Sequence, residues 1–168
     1  LIRSEQYRKA TADPDRVTDD AATPLVNEAL AKQAFTYFAG KESDEKVNFV
    51  QAYSGLTPGS ETLKTTTIYY YEDGNDTGTA LDEADSTSSD IADMHLAKTK
   101  QYRTGTVGLK TGLGTLQTVT FFDYTNKLVG EEKQSYSQGY YTDGTTVLNT
   151  TLFFYTGDQR AAGVRAGA

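Results

Sequence analysis

Hydrophobic and polar residues alternate along much of this chain, and the alternation is built from Thr, Tyr and Phe. In one run Leu63, Thr65, Thr67, Tyr69 and Tyr71 fill one face of an extended segment, and Lys64, Thr66, Ile68 and Tyr70 fill the other. A second run places Val147, Asn149, Thr151, Phe153 and Tyr155 opposite Leu148, Thr150, Leu152 and Phe154. Such residues suit a pleated, half-buried surface. Both runs start polar and finish aromatic on both faces, which predicts strands whose aromatic ends are covered while their Thr-rich beginnings stay wet. Turn signals divide the strands: Asp143-Gly144 is the cue for a two-residue hairpin, Pro58-Gly59 sits in the matching place upstream, and Asp73-Gly74 follows Tyr71. The pattern predicts strands near Leu116 to Tyr124, Glu132 to Thr142 and Thr145 to Tyr155, and a like meander between Ala34 and Tyr71.

Two stretches carry a helical period. Thr23-Pro24 opens a run in which Val26, Leu30, Ala34 and Tyr37 recur at spacings of 4, 4 and 3, predicting a helix that ends near Gln33. Ser88-Ser89-Asp90 is a cap for a short helix through Ile91, Met94 and Ala97 to Lys98.

The two strand runs also copy one another. Thr65 to Tyr71 falls on Asn149 to Tyr155 at an offset of 84 residues (149 − 65), and Thr36-Tyr37-Phe38 falls on Thr120-Phe121-Phe122 at the same offset. Tyr7, Tyr37, Tyr69, Tyr102, Phe121 and Phe153 follow at spacings of 30, 32, 33, 19 and 32, a period that signals arrays of repeated units. Gln6-Tyr7-Arg8 matches Gln101-Tyr102-Arg103 at an offset of 95, so the second copy is 11 residues shorter (95 − 84) before its aromatic strand. These relations divide the chain into units at residues 1–84 and 85–168, joined by an acidic, Ser/Thr/Gly-rich stretch near 73–89. The expected fold class is mainly β with short helices, as tandem antiparallel meanders in a solenoid-like array. Tyr37, Tyr69, Tyr71, Tyr102, Phe121, Phe153 and Tyr155 are the residues expected to pack within and between units.

Composition narrows the partners. A net charge of −7 with a pI near 4.7 argues against nucleic acid, whose binding rests largely on Lys and Arg neutralising phosphates. No stretch reaches the ~20 apolar residues of a membrane helix. With no cysteine there is no disulfide, thiolate zinc site or thiol catalysis. The start at Leu1 and an end at Ala168 in mid-pattern predict a fragment that continues into further repeats.

Candidate chemistry is sparse. Acidic clusters at Asp13, Asp15, Asp19 and Asp20, at Asp73, Asn75 and Asp76, and at Asp82, Glu83 and Asp85 offer the oxygen donors that Ca²⁺ takes, about six to eight per ion. Asp13, Asp15, Asp73 and Asp76 are the candidate ligands, although none of these loops has the helix-loop-helix calcium spacing; the alternative is solvated acidic loops. His95 is the only histidine, which excludes sites that need two and favours a surface or packing role. A carboxylate pair for glycan hydrolysis or lysis is invisible to sequence reading, and no motif singles one out. The clusters Tyr69 to Tyr71, Phe121-Phe122, Tyr140-Tyr141 and Phe153 to Tyr155 could stack on carbohydrate if exposed, or pack between units if covered. Asn75 and Asn149 begin glycosylation-type triplets.

Thr66 to Gly74 and Thr150 to Gly163 resemble the tyrosine-aspartate repeats of Rhs-type proteins, with Phe154-Tyr155-Thr156-Gly157-Asp158-Gln159-Arg160 nearest the pattern. Tyr102-Arg103, Gly130 to Lys133, Tyr136-Ser137, Asp143 to Thr146 and Thr150 to Phe154 extend a diluted likeness to giant bacterial surface repeat proteins. The strict Tyr-Asp-x-x-Gly-Arg motif is absent. The resemblance implies an exported, repetitive β architecture, and no residue carries over an encapsulated toxin or an autoprotease. The expected function is therefore structural: a segment of an extracellular or cell-surface repeat protein or filament, without catalytic activity, whose partners are copies of itself or adjacent repeats. A carbohydrate- or surface-binding β module is the alternative.

Overall fold

The computed structural model describes residues 3–9, 30–42, 44–72, 81–84, 91–124, 127–155 and 159–160. In chain order the strands are β1 (Arg3–Lys9), β2 (Leu30–Ala39), β3 (Lys46–Ser54), β4 (Thr62–Glu72), β5 (Asp82–Glu83), β6 (His95–Arg103), β7 (Leu116–Asp123), β8 (Lys133–Tyr140), β9 (Val147–Leu152), β10 (Phe154–Tyr155) and β11 (Gln159–Arg160). One open antiparallel sheet runs β1-β2-β3-β4-β6-β7-β8-β9, with β5 added to the end of β4, and β10-β11 form a separate pair. The protein is thus mainly β, a meander in which β1 and β9 are the edge strands among the described residues.

The strands expected from the Thr-aromatic pattern are all present, and neither expected helix appears among the described residues. Leu30 to Gln33 belongs to β2, and residues 10–29 lie outside the described residues. Only a 3-10 turn at Ile91–Asp93 replaces the second helix, and His95 to Lys98 is strand. Residues four apart share a face in a helix and in a strand alike, so the Leu30 and Ala34 spacing fits both; the run of Phe35, Thr36, Tyr37 and Phe38 favours the strand.

Register gives the sheet its detail. Ladder irregularities fall between Gln6 and Tyr7 in β1–β2, Tyr37 and Phe38 in β2–β3, and Ala52 and Tyr53 in β3–β4. Further along they fall between Gln101 and Tyr102 in β6–β7, Phe121 and Phe122 in β7–β8, and Gly139 and Tyr140 in β8–β9. Tyr37 lies opposite Phe49 with rings stacked at 4.2 Å, and Phe121 opposite Tyr136 with rings stacked at 4.4 Å. Such cross-strand aromatic pairs contribute ~0.5–1.5 kcal/mol beyond their area.

A connection replaces a second layer over one face. After β6 the chain folds back across β3 and β4: the Thr104 amide donates to the Lys64 carbonyl at 2.8 Å, and Arg103 and Thr115 close the loop base at 2.9 Å. Beneath it the fully buried Gln51 donates from Nε2 to the carbonyls of Thr106 (2.8 Å) and Leu109 (3.2 Å), and its Oε1 accepts from the Gly108 amide (2.8 Å). The loop backbone rests so close that a Cβ on Gly105 would lie 2.5 Å from Thr66 Oγ1. Thr66 is buried beneath this loop and Thr65, on the opposite face, is buried too, contrary to the expectation that the Thr-rich start of this strand stays wet. On the other face Tyr71 and Ala84 are buried with Ala39, Tyr69, Met94 and Leu96 around them.

Candidate functional site

The surface that stands out is the free edge formed by β9. All six of its residues are exposed, among them Val147, Leu148 and Leu152, and the adjoining Phe154 is 57% exposed. Exposed strand edges present unpaired backbone donors and acceptors and are templates for further pairing. Charges, proline and bulges normally guard such an edge; Val147-Leu148-Asn149-Thr150-Thr151-Leu152 has neither charge nor proline, and its bulge lies at Leu148, before the Asn149–Leu152 stretch.

A fixed turn holds this edge in place. The Asp143 carboxylate accepts from the Thr145 and Thr146 amides, both at 2.9 Å, and from the Thr146 hydroxyl at 2.5 Å. These bonds, that from the Thr146 hydroxyl foremost, hold its acidity at a pKa of about 2. The hairpin is wider than the two-residue turn expected from Asp-Gly. The ladder stops at Tyr140 opposite Val147, Tyr141 donates to the Thr146 carbonyl, and Gly144 alone takes a positive φ of 72°. Pro58-Gly59 does form a tight turn, with Ser60 donating to Thr57 and Gly59 at φ 80°.

The strand β4 shows the same kind of sequence in the middle of the sheet. Ile68 lies opposite Phe49 and is 3% exposed; Leu152 lies opposite Tyr136 and is 42% exposed. Gln51 lies opposite Thr66 and Gln138 opposite Thr150, and in each case a tyrosine two residues on donates its hydroxyl to the glutamine Oε1 at 3.3 Å. The first glutamine is sealed by the loop after β6, whereas the second is half-buried. No protein-family model matches this chain, and neither curated proteins nor solved structures give a significant match. Its own geometry therefore carries the functional reading.

The aromatic residues singled out by the repeat take distinct positions. Tyr37 and Phe121 are in the ring stacks described above. Tyr71 is buried and donates to the Val47 carbonyl at 2.8 Å, with burial pushing its phenol well up, and Tyr69 beside it is shifted the same way. Tyr102 is half-buried next to Tyr70, whose ring has the Lys98 and Lys100 ammonium groups 5.5 and 5.3 Å from its centroid. Phe153 is half-buried where its amide donates to the Ser135 carbonyl. Tyr155 donates to the Gln134 carbonyl at 2.7 Å, and Lys133 lies 5.1 Å over its ring. The structure distributes these residues along the sheet and does not gather them into one pocket.

The candidate calcium ligands Asp13, Asp15, Asp73 and Asp76 lie outside the described residues, as does Asn75. Among the described residues no cluster of three metal-ligating side chains occurs. Glu83 pairs with Lys110, which also donates to Asn48 at 3.2 Å. His95 is packed, with its ring 5.7 Å from that of Tyr124 and Nδ1 3.3 Å from Glu132. Burial opposes charge on Glu132, yet the amides of Gly130, Glu132 and Leu96, with His95 nearby, hold its carboxyl below the usual range. No helix among the described residues is long and apolar enough to cross a membrane.

Gln51 is the residue that sequence reading missed. A glutamine inside a strand carries no local signal of burial. The signal lay elsewhere, in Gly105, Gly108, Gly112 and Gly114, whose density marks a loop that must approach another backbone closely.

Proposed function

We propose that this chain is a structural segment of an extracellular or cell-surface repeat protein or filament, made of two tandem four-strand units that assemble by strand pairing and aromatic packing. The first unit is β1 to β4 and the second β6 to β9, within residues 1–84 and 85–168. The observation that carries this reading is the recurrence of register. Each ladder irregularity of the first set maps onto one of the second: Gln6 onto Gln101, Tyr37 onto Phe121, and Ala52 onto Gly139, the last at an offset of 87 residues (139 − 52). Bulges are local features set by particular residues, so three matching positions with two matching ring stacks support common units over a chance meander.

A sheet one layer thick suits such a role. Among the described residues its buried groups are shared between neighbouring strands and the loop after β6, so each unit depends on the unit beside it, as in quasi-one-dimensional arrays. The edge strand β9 leaves exposed what β4 buries, which supports extension of the sheet beyond one chain. The test is sedimentation velocity across a concentration series together with electron microscopy of the same samples. Concentration-dependent growth into elongated, regular particles is the expected result. A compact monomer at every concentration would overturn the reading and favour the binding-module alternative, for which a glycan screen then decides.

A further inference from the structure

We propose that β9 is completed by β1 of a second copy of this chain, in the same register with which β4 pairs with β6. The inference rests on the repeat reading above and adds to it a defined interface. Strand direction permits it. Eight strands in strict antiparallel order leave β1 and β9 running oppositely, so a copy displaced along the sheet brings its β1 antiparallel to β9 with the same face upward. The junction already exists once inside the chain: β4, the counterpart of β9, pairs with β6, the counterpart of β1.

That internal junction fixes the partners. Within the chain Thr65 lies opposite Arg103, Thr66 opposite Tyr102, Thr67 opposite Gln101 and Ile68 opposite Lys100. Carried over by the offsets of 84 and 95, Asn149 meets Arg8 of the second copy, Thr150 meets its Tyr7, Thr151 meets its Gln6, and Leu152 meets its Glu5. The side chains fit this exchange. Gln101 Nε2 donates to Thr67 Oγ1 at 3.4 Å, a bond that Gln6 can make to Thr151. Lys98 sits over the Tyr70 ring, and Arg3, its counterpart, meets the exposed ring of Phe154.

Room for the strand follows from the same template. Tyr70 and Tyr71 pair with β5 and also with β6, so β5 lies on the side away from β6. Phe154 and Tyr155 pair with β11 at the matching positions; by the same template β11 would lie on the side facing β8 and leave the outer side of β9 to the second copy. Ser4, Glu5 and Gln6 are exposed on β1, as Asn149, Thr150 and Thr151 are on β9.

The chain has no cysteine, so engineered pairs report the register directly. Residues directly opposite in an antiparallel pair have Cα atoms about 4.5–5.5 Å apart, within the reach of a disulfide. Thr151→Cys and Gln6→Cys are made as separate full-length chains, mixed at concentrations where the protein assembles, and oxidised. The expected main product is the mixed covalent dimer, lost when Gln6→Cys is replaced by Glu5→Cys, which points to the other face. Thr67→Cys with Gln101→Cys in one chain is expected to close internally and reports that the template register is intact. Assembly in which Thr151→Cys links chiefly to itself, or links to neither β1 variant, overturns the proposed interface while the structural reading survives. A chain that stays monomeric throughout overturns both.

Discussion

Ile68 and Leu152 each face a ring stacked across the neighbouring ladder, Phe49 for one and Tyr136 for the other, yet Ile68 is 3% exposed and Leu152 is 42% exposed. The difference comes from what lies beyond each strand. β6 flanks β4, and the loop after β6 folds over the face that Ile68 shares with Thr66 and Gln51, whereas nothing among the described residues flanks β9 on its outer side. Truncation therefore has unequal effects. Ile68→Ala is expected to destabilise the fold by ~2–4 kcal/mol, and Leu152→Ala by less than about 1 kcal/mol in the isolated chain, read from urea unfolding midpoints. Equal losses at the two sites would contradict the account of β9 as an uncovered edge.

Gln51 and Gln138 make a second unequal pair. Replacing Gln51 with Ala leaves the Gly108 amide and the Thr106 and Leu109 carbonyls without their buried partner, a loss of ~1–3 kcal/mol. Gln138→Ala is expected to change stability by less than about 0.5 kcal/mol, as at other partly exposed sites. Hydrogen exchange at Gly108 provides the local readout, with protection falling in Gln51→Ala and holding in Gln138→Ala.

The loop over the sheet depends on close approach at one glycine. Gly105→Ala places a methyl 2.5 Å from Thr66 Oγ1, so the loop must lift or Thr66 must turn. A destabilisation of ~1–3 kcal/mol is expected. Gly130→Ala is a fair reference for positive-φ strain alone, because no atom lies within 4 Å of its added Cβ. Melting temperatures of the two variants, compared side by side, separate the clash from the strain.

Acid acts on the turn before β9. Asp143 has its pKa lowered to about 2 in the folded chain, against about 3.9 for an unfolded aspartate. A depressed carboxyl contributes stability that is present above the unfolded value and is lost as pH falls through the folded one. The window is thus from about pH 4 down to about pH 2. Amide protection of Thr145 and Thr146 is expected to fall across it, and Asp143→Asn to remove that pH dependence. A carboxyl resonance titrating near 4 would contradict the hydrogen-bonded turn.

Much of the mainly-β meander was legible because the alternation of Thr with aromatic and aliphatic residues marks strands. The Thr-aromatic runs at Thr65 to Tyr71 and Asn149 to Tyr155 locate β4, β9 and β10. Period alone misled at Leu30 and Ala34, since a spacing of four leaves helix and strand undecided. Met94 and Ala97 misled for a related reason: Tyr70 pairs with Lys98 and Tyr71 with Leu96, so Ala97 is the extra residue of a bulge and breaks the strand period. The edge itself was not legible. Nothing in Asn149-Thr150-Thr151-Leu152 distinguishes it from Thr65-Thr66-Thr67-Ile68, because exposure is decided by the strand and the loop that lie beside it.

Amide hydrogen exchange measured over a concentration series tests the central claim most directly, because it reads the edge strands themselves. The account predicts that amides of Val147–Leu152 and Arg3–Lys9 exchange quickly in the dilute chain and gain protection together as concentration rises, while those of Thr62–Glu72 stay constant. Assembly that leaves β1 and β9 unprotected, or that protects only one of them, would contradict it.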